Sequence, residues 1–193
     1  MKKPLIALLL SLTSLSGHAQ LSDYKITVLA TNISNFGGVG EWSFGALYEG
    51  QEESIMFDTG FDDNTVLHNA KLLGKDLSKV EKVVLSHFHS DHTGGLIKLR
   101  KAFKSKNQKA FSKAYVAKGF FSQRYMKTID SIEGKKVGPG SFSDAQAFKS
   151  AAENLGIQFI VVSAPTEIAK NLFVTGPVSR KYEEYIGPKG LVI

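Results

Sequence analysis

Residues 84–96 read VLSHFHSDHTGGL. Three of the chain's five histidines and an aspartate fall between positions 87 and 92 of it, as His87, His89, Asp91 and His92. The apolar run before them, KVVLS, reads as a strand that ends at about Ser86. Side chains two apart in an extended segment face the same way, so His87 and His89 can reach one centre. Asp91 and His92 come after the chain has begun to turn and can reach a second centre nearby. Neutral imidazole and carboxylate are donors that zinc, and to a lesser degree iron or manganese, accept. Gly94 and Gly95 allow a tight approach of the backbone and lead into a helix marked by Leu96, Ile97, Leu99 and Phe103. A lone HxH is a weak signal. HxHxDH set between an apolar strand and a Gly-Gly helix start is specific, and it reads as two half-shells of ligands for a pair of divalent metal ions.

The flanking sequence alternates strand and helix signals. Lys25–Ala30, Trp42–Tyr48, Ser54–Phe57, Lys82–Leu85, Ala114–Ala117, Ile157–Val162 and Leu172–Thr175 read as strands. Residues 63–73 carry apolar spacing at Val66, Leu67, Ala70 and Leu73, with Gly74 just beyond, and read as a helix. Asp144–Leu155 reads as a second helix, with Asp144 near its N-cap and Gly156 after its end. Helices packed on sheet define an α+β or α/β class. GGVG at 37–40 lacks the Lys-Ser/Thr of a phosphate-binding loop and reads as a flexible turn.

At the start, Lys2 and Lys3 precede an apolar run from Leu5 to about Leu15 and the small residues before Gln20. That run is too short to span a bilayer and reads as a secretory signal over residues 1–19, followed by one domain over 20–193. The expected address is periplasmic or secreted, in a bacterium. The chain has no cysteine, which excludes disulfides, thiolate ligands and a cysteine nucleophile. Two of its six net positive charges lie in the signal, so the domain is only mildly basic.

HFHSDHTGGL resembles the HxHxDH motif of the metallo-β-lactamase superfamily. FDTGFDDN at 57–64, HNAKLLGKDLSKVEKVVLSH at 68–87 and LFVTGPVSR at 172–180 follow in the order of that family. They look like the branch that includes dihydropterin ribofuranosylaminobenzene-phosphate synthase and related metal-dependent hydrolases. The resemblance implies an αββα sandwich, with two metal ions at one edge between the sheets. It implies zinc, or else iron or manganese. His87 and His89 would bind the first ion, Asp91 and His92 the second, and Asp91 would also serve catalysis by orienting the nucleophile or passing a proton. Asp58 resembles the family's structural aspartate, a carboxylate that orients ligating histidines by hydrogen bonds. Phe-Asp-Thr-Gly also resembles the active-site turn of aspartic proteases, but those need two facing carboxylates, and with one such turn in this chain a protease would need a homodimer.

The implied activity is hydrolysis of an ester, amide, lactone or phosphoester by metal-activated water. The alternatives are a pterin-type condensing transferase of the same fold and a metal-binding sandwich without turnover. The expected partner is a small-molecule substrate, an anionic one among the options, with no nucleic acid and no stable membrane insertion. No histidine follows His92, although the family supplies further ligands downstream, so the chain reads as the N-terminal part of the sandwich. Residues 98–127 hold ten Lys or Arg and no acid. They read as a solvated face, a funnel for an anionic substrate, or a surface for nucleic acid or membrane.

Overall fold

The structure is a computed structural model that describes residues 24–61, 64–122, 125–126, 145–179 and 191–192. The expected signal at 1–19 and the cap at Asp144 lie outside the described residues. Six strands form the main sheet: Lys25–Ala30 (β1), Gly45–Glu49 (β2), Ser54–Phe57 (β3), Lys82–Leu85 (β4), Lys113–Ala117 (β5) and, after a two-residue strand Tyr125–Met126 (β6), Gln158–Val162 (β7). Their order is β1-β2-β3-β4-β5-β7. The first three are joined antiparallel. From β3 onward the pairing is parallel. Parallel neighbours need a crossover, and helices supply it. Thr65–Leu72 (α1) joins β3 to β4; Ser90–Thr93 (α2) and Leu96–Lys104 (α3) join β4 to β5; Ala145–Asn154 (α4) precedes β7.

The side-chain period of two sorts each strand onto two faces. Leu29, Leu47, Met56, Val83 and Ala114 face the helices and pack with Val66 and Ala70 of α1, Leu96 and Leu99 of α3, and Ala152 of α4. Leu96 and Leu99 are fully buried, each contributing about 2 kcal/mol relative to exposure. The opposite face is apolar as well. The register sets Val28, Ala46, Phe57, Val84, Tyr115 and Ile160 side by side across all six strands. A hairpin of Thr166–Ala169 (β8) and Leu172–Val174 (β9) covers part of that face. Between hairpin and sheet lies a cavity of about 590 Å³, lined by Tyr48, Ile55, Tyr115, Ile168, Leu172 and Val174 among others. Lys82 tethers the hairpin, its Nζ donating to the Ile168 carbonyl at 2.5 Å while pairing with Glu53 at 2.6 Å. Leu191–Val192 (β10) pairs with β6.

Most strands fall where the sequence places them, with departures at β2, β6 and β8. The second strand starts at Gly45, not Trp42, because Phe44 donates its N–H to the Asp91 carbonyl instead of joining the sheet. The strand β8 has no sequence counterpart: four residues in a short hairpin carry too little alternation to read. The fold is α+β with a mixed sheet.

Candidate metal centre

The site is built by parallel pairing. Because β3 and β4 run side by side, with Phe57 opposite Val84, their C-terminal ends deliver Asp58 and Ser86 to the same edge of the sheet. Asp58 donates its N–H to the Val84 carbonyl and adopts φ 51°, a left-handed conformation that aspartate tolerates better than most residues. Its carboxylate is almost fully buried, and its hydrogen bonds go to the histidine loop. Oδ1 accepts from the Ser86 N–H at 2.8 Å, and Oδ2 accepts from the Ser86 hydroxyl at 2.7 Å and from His92 Nδ1 at 2.7 Å.

The next turn is sewn to the same loop. Thr59 donates both its N–H and its hydroxyl to the His92 carbonyl, at 2.8 and 3.0 Å. The Gly95 N–H reaches the Gly60 carbonyl. Gly94 and Gly95 have ordinary negative φ, so here glycine serves space and not conformation. A Cβ on Gly95 would stand 2.1 Å from the Thr59 carbonyl oxygen, and one on Gly94 would stand 2.2 Å from that of Phe61.

The loop gathers all five residues singled out in the sequence. The His87 ring lies 4.5 Å from that of His89 and 4.2 Å from that of His92, centroid to centroid. His89 ends the extended segment, and Asp91 and His92 ride on the single turn α2. Burial, with His92 and His89 alongside, pushes the His87 imidazole below its ordinary range, against the pull of Asp58 and Asp91. It is therefore a neutral donor at neutral pH.

The donors suit a divalent cation in chemistry, and one pair of them also suits it in spacing. With Nδ1 of His92 engaged by Asp58, the ring's other nitrogen, Nε2, faces Asp91. That nitrogen lies 3.5 Å from Asp91 Oδ2. Two ligands on one tetrahedral zinc, with bonds of about 2.1 Å, stand about 3.4 Å apart. Among the described residues, no group of three or more His, Asp or Glu side chains is arranged to hold a metal ion. The described residues of the loop thus supply one donor pair without completing a first coordination sphere.

Sequence reading missed Ser86, the hydroxyl next to His87; no local signal marks it, because its partner Asp58 comes from another strand. The basic stretch resolves in part. Arg100 is buried, and its guanidinium donates to the carbonyls of Leu155, Gln108 and Ala110. Lys104 also reaches the Leu155 carbonyl. These two cations tie α3 to the end of α4 and do not belong to a substrate funnel. His68 lies apart from the loop, bonded to the Gly37 carbonyl at 2.7 Å.

A family model described as the metallo-beta-lactamase superfamily matches residues 44–146, more than half of the chain. The chain belongs to the metallo-beta-lactamase superfamily. It is 26% identical over 129 residues to the 7,8-dihydropterin-6-methyl-4-(beta-D-ribofuranosyl)-aminobenzene-5'-phosphate synthase of Methanocaldococcus jannaschii, covering 67% of this chain and 40% of that protein. Among solved structures it is similar to Tm1679, a metal-dependent hydrolase of the beta-lactamase superfamily. That match has a TM-score of 0.52 and 26% identity, and covers 81% of this chain and 49% of the other. Human tRNase Z, short form, matches at a TM-score of 0.42 and 16% identity, over 72% of this chain and 44% of its own; nothing about substrate follows at that distance. The chain spans less than half the length of each of these proteins.

Proposed function

We propose that the protein acts as a metal-dependent hydrolase on an ester, amide, lactone or phosphoester, with His87 and His89 holding one divalent ion and Asp91 and His92 a second. The observation that carries the reading is the buried Asp58, whose carboxylate makes three hydrogen bonds to the histidine loop, two from Ser86 and one from His92. Bound there, zinc, or else iron or manganese, would supply Lewis-acid activation of water and of a carbonyl or phosphoryl oxygen. The protein's own part is to fix the tautomers of His87 and His92 and to hold Asp91 where it can orient a water or pass a proton. Family membership and the likeness to Tm1679 support the hydrolase class.

A condensing transferase is the second reading, favoured by the synthase among the relatives. Metal-loaded protein is tested on a panel of the four bond classes, with Asp91→Asn alongside. Hydrolysis that falls by about a hundredfold in the variant, the scale of losing a positioned acid–base group, supports the proposal. Product formed only when a second organic substrate is present supports the transferase, and binding of metal without turnover of either kind rejects both.

We further propose a periplasmic or secreted location, which rests on the Lys2–Lys3 start, the apolar run and the small residues before Gln20. Mass spectrometry of the exported protein should find an N-terminus at or beside Gln20; an intact Met1 on cytoplasmic protein would overturn this. A small-molecule substrate fits the family fold. Among the described residues no helix is long and apolar enough to cross a membrane.

A further inference from the structure

The hydrogen bonds around Asp58 have a direction, and the direction leads to Ser86. A carboxylate only accepts. The Ser86 hydroxyl, 2.7 Å from Asp58 Oδ2, must therefore give its one proton to Asp58. Its oxygen then has only lone pairs to offer His87, whose Nδ1 stands 3.0 Å away. The bond is satisfied when that nitrogen carries the ring's proton. On the other side of the same Oδ2, His92 Nδ1 lies at 2.7 Å and must donate for the same reason. One carboxylate oxygen thus sets both rings, His92 directly and His87 through a single hydroxyl.

We infer that Ser86 is a positioning residue that relays the Asp58 carboxylate to His87, fixing the ring with its proton on Nδ1 and its lone pair on Nε2. This deepens the proposed metal centre and rests on that reading for its purpose, though not for its geometry. An imidazole left to itself favours the opposite tautomer, with Nε2 protonated, and would have to change tautomer before binding through that atom. A bound partner that orients a ligating ring and raises its basicity is worth roughly ten- to a hundredfold in metal affinity. The relay also couples the two half-sites: a change at Asp58 is felt by both, whereas a change at Ser86 is felt only by the ring of His87.

Two features make the site suitable for a test. Ser86 holds its place through its backbone, since its N–H also bonds Asp58 Oδ1 at 2.8 Å, so removing the hydroxyl leaves the loop tethered. Its residue surface is exposed, so a methyl in its place creates no buried cavity. The experiment is ring-nitrogen NMR on the metal-free, isotope-labelled chain, comparing Ser86→Ala, Ser86→Thr and Asp58→Asn, followed by zinc titration.

In the unsubstituted chain both His87 and His92 should show the Nδ1–H tautomer. Ser86→Ala should release His87 toward Nε2–H and leave His92 unchanged, which also certifies the fold. Ser86→Thr, which keeps the hydroxyl, should restore His87. Asp58→Asn should disturb both rings. Should the alanine variant lose the His92 signal through misfolding, Ser86→Cys, a weaker donor of similar size, gives the same contrast. A His87 tautomer indifferent to Ser86→Ala, or a threonine variant that behaves like alanine, overturns the relay. Zinc affinity should fall by roughly ten- to a hundredfold in Ser86→Ala and recover in Ser86→Thr. Tautomers that respond as stated in a chain that binds no zinc uphold the relay and reject the metal centre; zinc binding with unresponsive tautomers does the reverse.

Discussion

The His87 imidazole stands at the meeting point of the site's forces: partly buried, flanked by two other imidazoles and drawn by two carboxylates. Burial is the largest of these, and it lowers the pKa of the folded chain below the ordinary 6.5. The sign of the consequence is fixed. As pH falls through about 6.5 the unfolded chain takes up a proton at this residue while the folded chain does not. Between the two values the unfolded state binds more protons, so stability rises with pH and is lost as pH falls from 6.5 toward the folded value. Urea midpoints of the metal-free chain should therefore drop between pH 7 and pH 5, and His87→Gln should flatten that part of the slope. An unchanged slope would mean that His87 is as easily protonated folded as unfolded. Zinc should steepen the dependence, because a ligating ring must be neutral to bind. The motif itself was legible because its residue types are few and their chemistry narrow. Ser86 was not, since a serine before a histidine says nothing until a carboxylate from another strand is placed within reach of both.

At the scale of elements, the site is a seam between two turns, the one after β3 and the loop after β4. The seam closes because Gly94 and Gly95 have no side chain. Gly95→Ala would drive a Cβ to 2.1 Å from the Thr59 carbonyl oxygen, a backbone atom that cannot swing aside. Overpacking of this kind costs about 3 kcal/mol. The urea midpoint should fall accordingly, and zinc affinity should fall with it, because the displaced turn carries Asp58. Gly74→Ala is the contrast: its φ is +65°, but nothing lies within 4 Å of the added carbon, so it should lower stability modestly and leave zinc binding alone. The sequence showed the Gly-Gly pair and its place before a helix, and Lys25–Ala30, Ser54–Phe57 and Lys82–Leu85 were readable as strands to the residue. The role of Asp58 in Phe57-Asp58-Thr59-Gly60 was implied by the family resemblance and not by any local pattern. Its physical basis is the parallel pairing of β3 with β4 across α1, a long-range register that no local pattern encodes. Trp42–Phe44 looked like strand for the same reason: its residues suit a sheet, but Phe44 spends its N–H on the Asp91 carbonyl.

For the molecule as a whole, the sheet is apolar on both faces, and a sheet of that kind belongs between two layers. Helices α1, α3 and α4 supply one layer. Across the other face, Val28, Ala46, Phe57, Val84, Tyr115 and Ile160 form a row six strands wide, about 24 Å at ordinary strand spacing. The hairpin β8–β9 covers only part of it, and Ile26, Val28 and Phe57 remain 60%, 47% and 41% exposed. These three side chains form the open end of that face, and contiguous exposed apolar side chains mark a surface suited to association. The 193-residue chain should therefore bind an apolar dye such as ANS in its folded state, and its sedimentation should rise with concentration. Val28→Glu combined with Phe57→Lys should suppress both effects without altering the far-UV circular dichroism, because the two positions face away from the helix-side core. A chain that is dye-silent and monodisperse at all concentrations would show that its own residues close the face. The same face borders the site: Phe57 directly precedes Asp58, and Ser86 lines the cavity beneath the hairpin. A layer packed there would stiffen the ends of β3 and β4 from which the metal loop hangs. Zinc affinity measured on the associated form should accordingly exceed that of the dilute monomer, and equal affinities would separate the loop's rigidity from the cover of the sheet.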